Sequence, residues 1–237
     1  MRKLLFFTFV ALFFLGCSSN DEMPCFTCDY NIVQSSSSSS FFSSSSVVYV
    51  DSVYYGGETY KTVVIGTQIW LARNLNYAPG IGNYRCYDCI EYGRLYDWST
   101  AMGLQSSCNS SSCSSQISAK HRGICPPSWH IPSDEEWYIL MDAVGDSSTA
   151  GMYLKSTSGW NGKNGNGIDK YGFAALPGGG GYSDGYFSNA GNYGSWWVSS
   201  EVSDERAYSW LMDYKYEDVR KNYGYKLSLL SVRCLHD

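Results

Sequence analysis

Apolar residues recur at helical spacing most clearly in residues 125–145, CPPSWHIPSDEEWYILMDAVG. Trp137, Leu140, Met141 and Val144 fall at i, i+3, i+4 and i+7, so one face is apolar and the other polar. Pro132 stiffens the approach, Ser133 stands where an N-cap belongs, and Glu136 three residues on closes a capping box. Asp134 and Glu135 suit the positive end of the helix dipole, and Gly145 suits a left-handed helix end. A helix this short does not stand alone in water, so the pattern predicts one wall of a core.

Elsewhere the period shortens to two. Residues 47–55, 59–65 and 68–71 read as strands, with turns at Gly56-Gly57 and Gly66-Thr67. Residues 92–104, YGRLYDWSTAMGL, predict a short helix with Tyr92, Leu95, Tyr96 and Met102 in the core. Residues 105–116 are rich in Ser and Cys and read as a surface loop, and residues 150–155 predict another helical turn. Residues 194–200, 207–214 and 226–234 read as strands divided by Asp- and Gly-rich turns.

The N-terminal 46 residues follow neither period. Arg2 and Lys3 precede about a dozen mostly apolar residues, which fits a secretory signal and is short for a membrane span. Phe14-Leu15-Gly16-Cys17 resembles a bacterial lipobox, with Phe14 where Leu is usual. The reading is a signal over residues 1–16, a lipid-bearing Cys17 opening a serine-rich linker over residues 17–46, and a folded domain over residues 47–237. A flexible linker of about 30 residues spans on the order of 30 Å and holds a domain clear of a membrane. The anchor is the lipid alone, and the expected location is the bacterial cell envelope, at the outer membrane or cell surface.

Charge and composition then narrow the partner. Losing Arg2 and Lys3 moves the formal net charge from −5 to −7, and no basic block offsets it, which argues against nucleic acid. Aromatics equal charged residues at 16% each, so much of the surface is uncharged polar and aromatic. That suits polysaccharide or a surface protein. Tyr182, Tyr186, Tyr193, Trp196 and Trp197 crowd a Gly-, Ser- and Asn-rich segment and form the candidate ligand surface.

If Cys17 carries lipid, eight of the nine cysteines remain, and they allow roughly a hundred pairings. Proximity suggests Cys25 with Cys28, Cys86 with Cys89, and Cys108 with Cys113, leaving Cys125 and Cys234. Zinc or redox chemistry at the CxxC pairs lacks a ribbon or βαβ context. No cofactor is required by the sequence. Calcium is the one ion with a candidate site, since Asn164, Asn166 and Asp169 offer oxygens on a sharply turning backbone, without the acidic set of an EF-hand. Four glycines at 178–181 are followed by no Lys-Ser/Thr, which excludes a P-loop. His130 lacks a motif-borne nucleophile, and helix capping already explains Asp134, Glu135 and Glu136, so no catalytic residue is assigned.

Several stretches together carry a family likeness: GETYKTVVIGTQIWLARNL from Gly57, YGRLYDWSTAM from Tyr92, CPPSWHIPSDEEW from Cys125, then LKSTSGW, YGFAALPGG, WWVSSE and SVRC. In this order they resemble the Fibrobacter succinogenes major paralogous domain, over about residue 47 to the C-terminus. The spacing of Cys86 and Cys89 is shorter than the resemblance implies. Members are typically exported, many as lipoproteins. The resemblance implies an α+β fold: a compact C-type-lectin-like domain, two short helices on twisted antiparallel strands with long irregular loops. It passes on no active site residue by residue. The resulting expectation is a surface-anchored, non-enzymatic binding or adhesion module for polysaccharide such as plant cell-wall glycan. An enzyme on the same fold, thiol-redox or hydrolytic, and a structural envelope protein are the alternatives.

Overall fold

A computed structural model describes residues 49–237. The expected signal over residues 1–16 and linker over residues 17–46, with Cys17, Cys25 and Cys28, lie outside the described residues. In chain order the elements are β1 (Tyr49–Tyr55), β2 (Glu58–Ile65), β3 (Gln68–Leu71), β4 (Tyr84–Arg85), β5 (Leu95–Tyr96), α1 (Trp98–Ala101), β6 (Trp129–His130), α2 (Asp134–Val144) and α3 (Ala150–Leu154). Then follow β7 (Gly180–Gly181), β8 (Phe187–Ser188), β9 (Tyr193–Glu201), β10 (Arg206–Asp213), β11 (Arg220–Tyr225), β12 (Leu230–Ser231) and β13 (Leu235–His236). One sheet runs β1-β2-β3-β13-β6, a second runs β11-β10-β9-β12-β5-β4, and β7-β8 form a small hairpin. The result is a mixed α+β fold with few short helices and antiparallel sheets.

The segment 125–145 folds as its pattern requires. Ser133 Oγ accepts the Glu136 N–H at 3.3 Å, and Glu136 Oε2 accepts the Ser133 N–H at 2.8 Å, closing the capping box. Trp137, Leu140, Met141 and Val144 are all buried. Trp137 enters a nest of rings: Trp70 at 5.5 Å, Trp196 at 5.9 Å, Phe173 at 6.0 Å and Trp210 stacked at 6.0 Å. Rings at such spacings add to their area burial, so α2 joins the first sheet through Trp70 and the second through Trp196 and Trp210. Gly145 leaves the helix at φ 141° and ψ −88°, outside the left-handed helical basin predicted and open only to glycine.

The Gly56-Gly57 turn has both residues at positive φ, as a tight hairpin needs. The 92–104 helix is mostly absent. Leu95–Tyr96 pair as a strand with Leu230–Ser231 and with Tyr84–Arg85, and only Trp98–Ala101 is helical. Asp97 caps that short helix by accepting the Thr100 N–H at 2.8 Å. Sheet pairing outweighs a weak local helical preference here. Of the predicted 226–234 strand only Leu230–Ser231 forms a strand, β12; β13 begins one residue beyond it in the other sheet, and β11 lies in a stretch that pattern left as turns. β11 is an edge strand exposed almost throughout, so RKNYGY carries no apolar alternation to announce it.

Three disulfides lie among the described residues: Cys86–Cys89, Cys108–Cys113 and Cys125–Cys234. The last ties the approach to α2 to the C-terminal strand across a sequence separation of 109. Among the described residues no helix is long and apolar enough to cross a membrane.

Candidate functional site

Period-two alternation and strand register build a cleft on one face of the second sheet. Ser195 of β9 pairs with Leu211 of β10, which pairs with Arg220 of β11, and Ser209 pairs with Asn222. Side chains on this face alternate with those facing α2, so Tyr193, Ser195, Leu211, Asp213, Arg220 and Asn222 form a polar floor. Gly179, Gly180, Gly181 and Tyr182 form one wall, with Ser188 and Asn189 beside them, and Ser228 and Leu230 close another side. The cleft holds about 420 Å³. Gly179 turns the wall at φ 67°, and a Cβ there would stand 2.2 Å from the Ser188 carbonyl oxygen, so only glycine fits.

Two of the lining side chains are charged, and they oppose each other. Arg220 Nη2 lies 3.6 Å from Asp213 Oδ2, and Arg220 Nε lies 3.2 Å from Asp218 Oδ2. Arg220 also packs over the Tyr216 ring at 4.6 Å. Asp213 is 6% exposed, and its Oδ1 accepts the Lys215 N–H at 2.8 Å. At 3.6 Å the contact to Arg220 is an ion pair rather than a hydrogen bond, so Asp213 Oδ2 can still accept a hydroxyl. The floor therefore offers acceptor, guanidinium, amide and hydroxyl groups without a net charge. Tyr182 and Tyr186 are exposed beside it, rings 6.1 Å apart and 30° from parallel.

The other predicted aromatic residues divide. Tyr193 lines the cleft half-buried. Trp196 and Trp197 are wholly buried, which corrects their assignment as ligand contacts. Trp196 Nε1 donates to Asn74 Oδ1 at 2.8 Å and Trp197 Nε1 to the Tyr96 carbonyl at 2.8 Å, so both are core members on opposite faces of β9. Asp213, Arg220 and Asn222 were not singled out from the sequence. The alternation of β10 could have placed Leu211 and Asp213 on one face, but their meeting with β11 depends on hairpin register.

Two of the three calcium candidates already accept backbone N–H groups. Asn164 and Asn166 are exposed, and Asn166 Oδ1 accepts the Trp160 N–H at 3.0 Å. Asp169 Oδ1 accepts the Ala174 N–H at 2.8 Å, and burial raises the Asp169 pKa above its ordinary value. Among the described residues no group of three or more His, Cys, Asp and Glu side chains is arranged to hold a metal ion.

His130 forms a second cluster of titratable groups. It is fully buried, with Nδ1 2.8 Å from Asp237 Oδ1 and Nε2 2.9 Å from Glu136 Oε1. Burial pulls its pKa down, but hydrogen bonds and charges from Glu136 and Asp237 outweigh that and hold it above 6.5. Burial pushes Glu136 up, but His130 and the Ser133 N–H bring it below 4.5. The histidine contribution to stability is therefore complete below about pH 6.5 and is lost as pH rises through the raised value. The glutamate contribution is complete above about pH 4.5 and is lost as pH falls through the depressed value. Both are full between about pH 4.5 and 6.5. Thermal unfolding midpoints across about pH 3 to 9 are expected to fall above pH 6.5 more steeply in the parent than in His130→Gln, whereas parallel profiles would remove this cluster from the account.

Fold and cleft together define a disulfide-linked α+β domain that presents a polar cleft with a tyrosine pair beside it. The family stretches cluster at its core: Asn74 of ARNL, Phe173 and Ala174 of YGFAAL, and Arg233 of SVRC meet by hydrogen bonds. The chain belongs to the Fibrobacter succinogenes major domain family, whose sequence pattern matches residues 63–236. No curated protein and no solved structure matches it.

Proposed function

We propose that this protein is a surface-anchored lipoprotein whose domain, of the C-type-lectin-like kind, binds polysaccharide without catalysis. The observation that carries the reading is the cleft of about 420 Å³, whose Asp213, Arg220 and Asn222 floor adjoins the exposed Tyr182–Tyr186 pair. A sugar ring stacks on a flat aromatic face while its hydroxyls meet paired donors and acceptors below. With its two charged lining groups paired, the cleft suits a neutral glycan. The lectin-like fold is supported by β13 returning between β3 and β6. Binding is favoured over acid–base catalysis because both nitrogens of His130 are engaged by structural carboxylates.

The test is retention of the full chain on a glycan array and on insoluble cellulose and xylan, with and without a calcium chelator. Retention on a defined neutral polymer is expected. Asn222→Ala and Tyr182→Ala, both at exposed positions, should each weaken it by about tenfold, or ~1.4 kcal/mol. Retention unchanged in both variants would move the site elsewhere, and no retention on any polymer would overturn the reading.

A further inference from the structure

The described disulfides differ in accessibility. Cys108, Cys113, Cys125 and Cys234 are 1%, 6%, 0% and 0% exposed, so a thiol reaches those bridges only when the core opens. Cys86 and Cys89 are half-buried, and their loop neighbours Tyr87 and Ile90 are 66% and 89% exposed. A partner thiol meets this bridge on the native surface.

Arg94 supplies the second observation. Its Nη1 lies 3.9 Å from Cys86 Sγ, while the guanidinium packs against the Tyr84 ring at 5.6 Å. The nearby Asp88 carboxylate is engaged by its own loop, its Oδ1 accepting the Ile90 and Glu91 N–H groups at 3.0 and 3.1 Å. A cation beside one sulfur of a CxxC pair favours the thiolate there, and the thiolate is the form that leaves and attacks. After reduction the two-residue spacing keeps the thiols together, with Cα atoms 5.2 Å apart in the bridged state.

We propose that Cys86–Cys89 is a second functional site: a surface dithiol–disulfide couple that exchanges with dithiol partners, with Arg94 as its positioning residue. An incoming thiolate attacks Cys89 Sγ. A sulfur–sulfur bond forms to Cys89 as the Cys86–Cys89 bond breaks, and the electron pair leaves on Cys86 beside Arg94. The partner's second thiolate then attacks the partner sulfur of the mixed disulfide and releases Cys89 as a thiolate, which takes up a proton. The protein gains two electrons and the partner departs as a disulfide. The reverse sequence reduces a partner disulfide.

The experiment is a dithiothreitol series on the natively folded full chain, quenched by alkylation and read peptide by peptide by mass. Cys86 and Cys89 are expected to open together at a concentration at least about tenfold below that for Cys108–Cys113 and Cys125–Cys234. In the reduced protein near pH 7, Cys86 should alkylate faster than Cys89. Arg94→Gln should slow Cys86 by about tenfold, roughly one pKa unit of lost thiolate, while Arg94→Lys keeps most of the rate. Three bridges opening over one concentration range, or Cys89 alkylating as fast as Cys86, would overturn the proposal. If Arg94→Gln loosens the fold and opens every bridge, the parent rate ratio and Arg94→Lys decide it.

Discussion

Arg233→Met is expected to destabilise the domain by about 3–5 kcal/mol, the range for breaking a buried, hydrogen-bonded charge. Arg233 is fully buried in the strand-poor stretch between β12 and β13. Its Nε and Nη2 donate to Asn74 Oδ1 at 3.2 and 2.8 Å, and its Nη1 donates to the Leu71 carbonyl at 3.0 Å. It also donates to the Phe173 and Ala174 carbonyls and packs over the Phe173 ring at 4.4 Å. Burial lowers its pKa to about 9, opposed by the charge of Asp169, so it remains a cation at neutral pH. Methionine fills similar space but takes the Arg233 donors from the Leu71, Phe173 and Ala174 carbonyls and leaves Asn74 Oδ1 with Trp196 alone. Lysine restores the charge without the planar fork that reaches all of them, so Arg233→Lys should recover only part of the loss. For a domain of this size the Met variant should melt about 10 °C lower. A loss under about 1 kcal/mol in denaturant unfolding would mean that the guanidinium is not the centre of this junction.

Lys226→Met should have a similar effect by a different route. Lys226 follows β11 and is fully buried, with Nζ 2.7 Å from Glu201 Oε1. It also donates to the carbonyls of Cys108, Ser111 and Asp204 at 3.0, 3.3 and 2.9 Å, and sits 4.6 Å from the Trp98 ring centroid. This ammonium pins the Cys108–Cys113 loop to the β9–β10 hairpin. Removing it leaves buried carbonyls unpaired and Glu201 without its counter-ion, at a cost of about 3–5 kcal/mol. Glu201 retains the Cys113 N–H at 2.9 Å and the Ser112 hydroxyl at 2.7 Å, so the variant should still fold. Adding Glu201→Gln to Lys226→Met should cost less than the two single changes combined, because the same interaction is lost in each. Full additivity in urea unfolding would show that the pair is not coupled.

Neither cation stands out in the sequence. SVRC and GYKLS carry a basic residue among apolar and small ones, which reads equally well as a solvated side chain on a strand. What buries Arg233 and Lys226 is the arrival of carbonyls from segments tens of residues away. The cleft follows the same logic. Tyr182 and Tyr186 were identifiable as exposed because glycine and serine surround them. Trp196 and Trp197, adjacent in sequence, gave no sign that both faces of β9 are covered. One meets Trp137 of α2, and the other lies in a separate buried cluster with Tyr96 and Trp98.

The sequence by itself determined the elements whose signals are local. The α2 helix has its cap, its acidic first turn and its apolar stripe within a dozen residues, and the Gly56-Gly57 hairpin has its conformational requirement in two. The family likeness rests on the same short stretches. The tertiary structure decided what depends on chain-distant partners. It turned Leu95–Tyr96 into a strand because β12 and β4 offer hydrogen bonds there. It made a strand of polar RKNYGY because β10 presents an edge, and it set Asp213 and Arg220 into one cleft through the β10–β11 register. Local propensities amount to a few tenths of a kcal/mol per residue, whereas a buried hydrogen bond or ring left unpartnered costs several times more, so wherever the two conflict the distant contacts prevail.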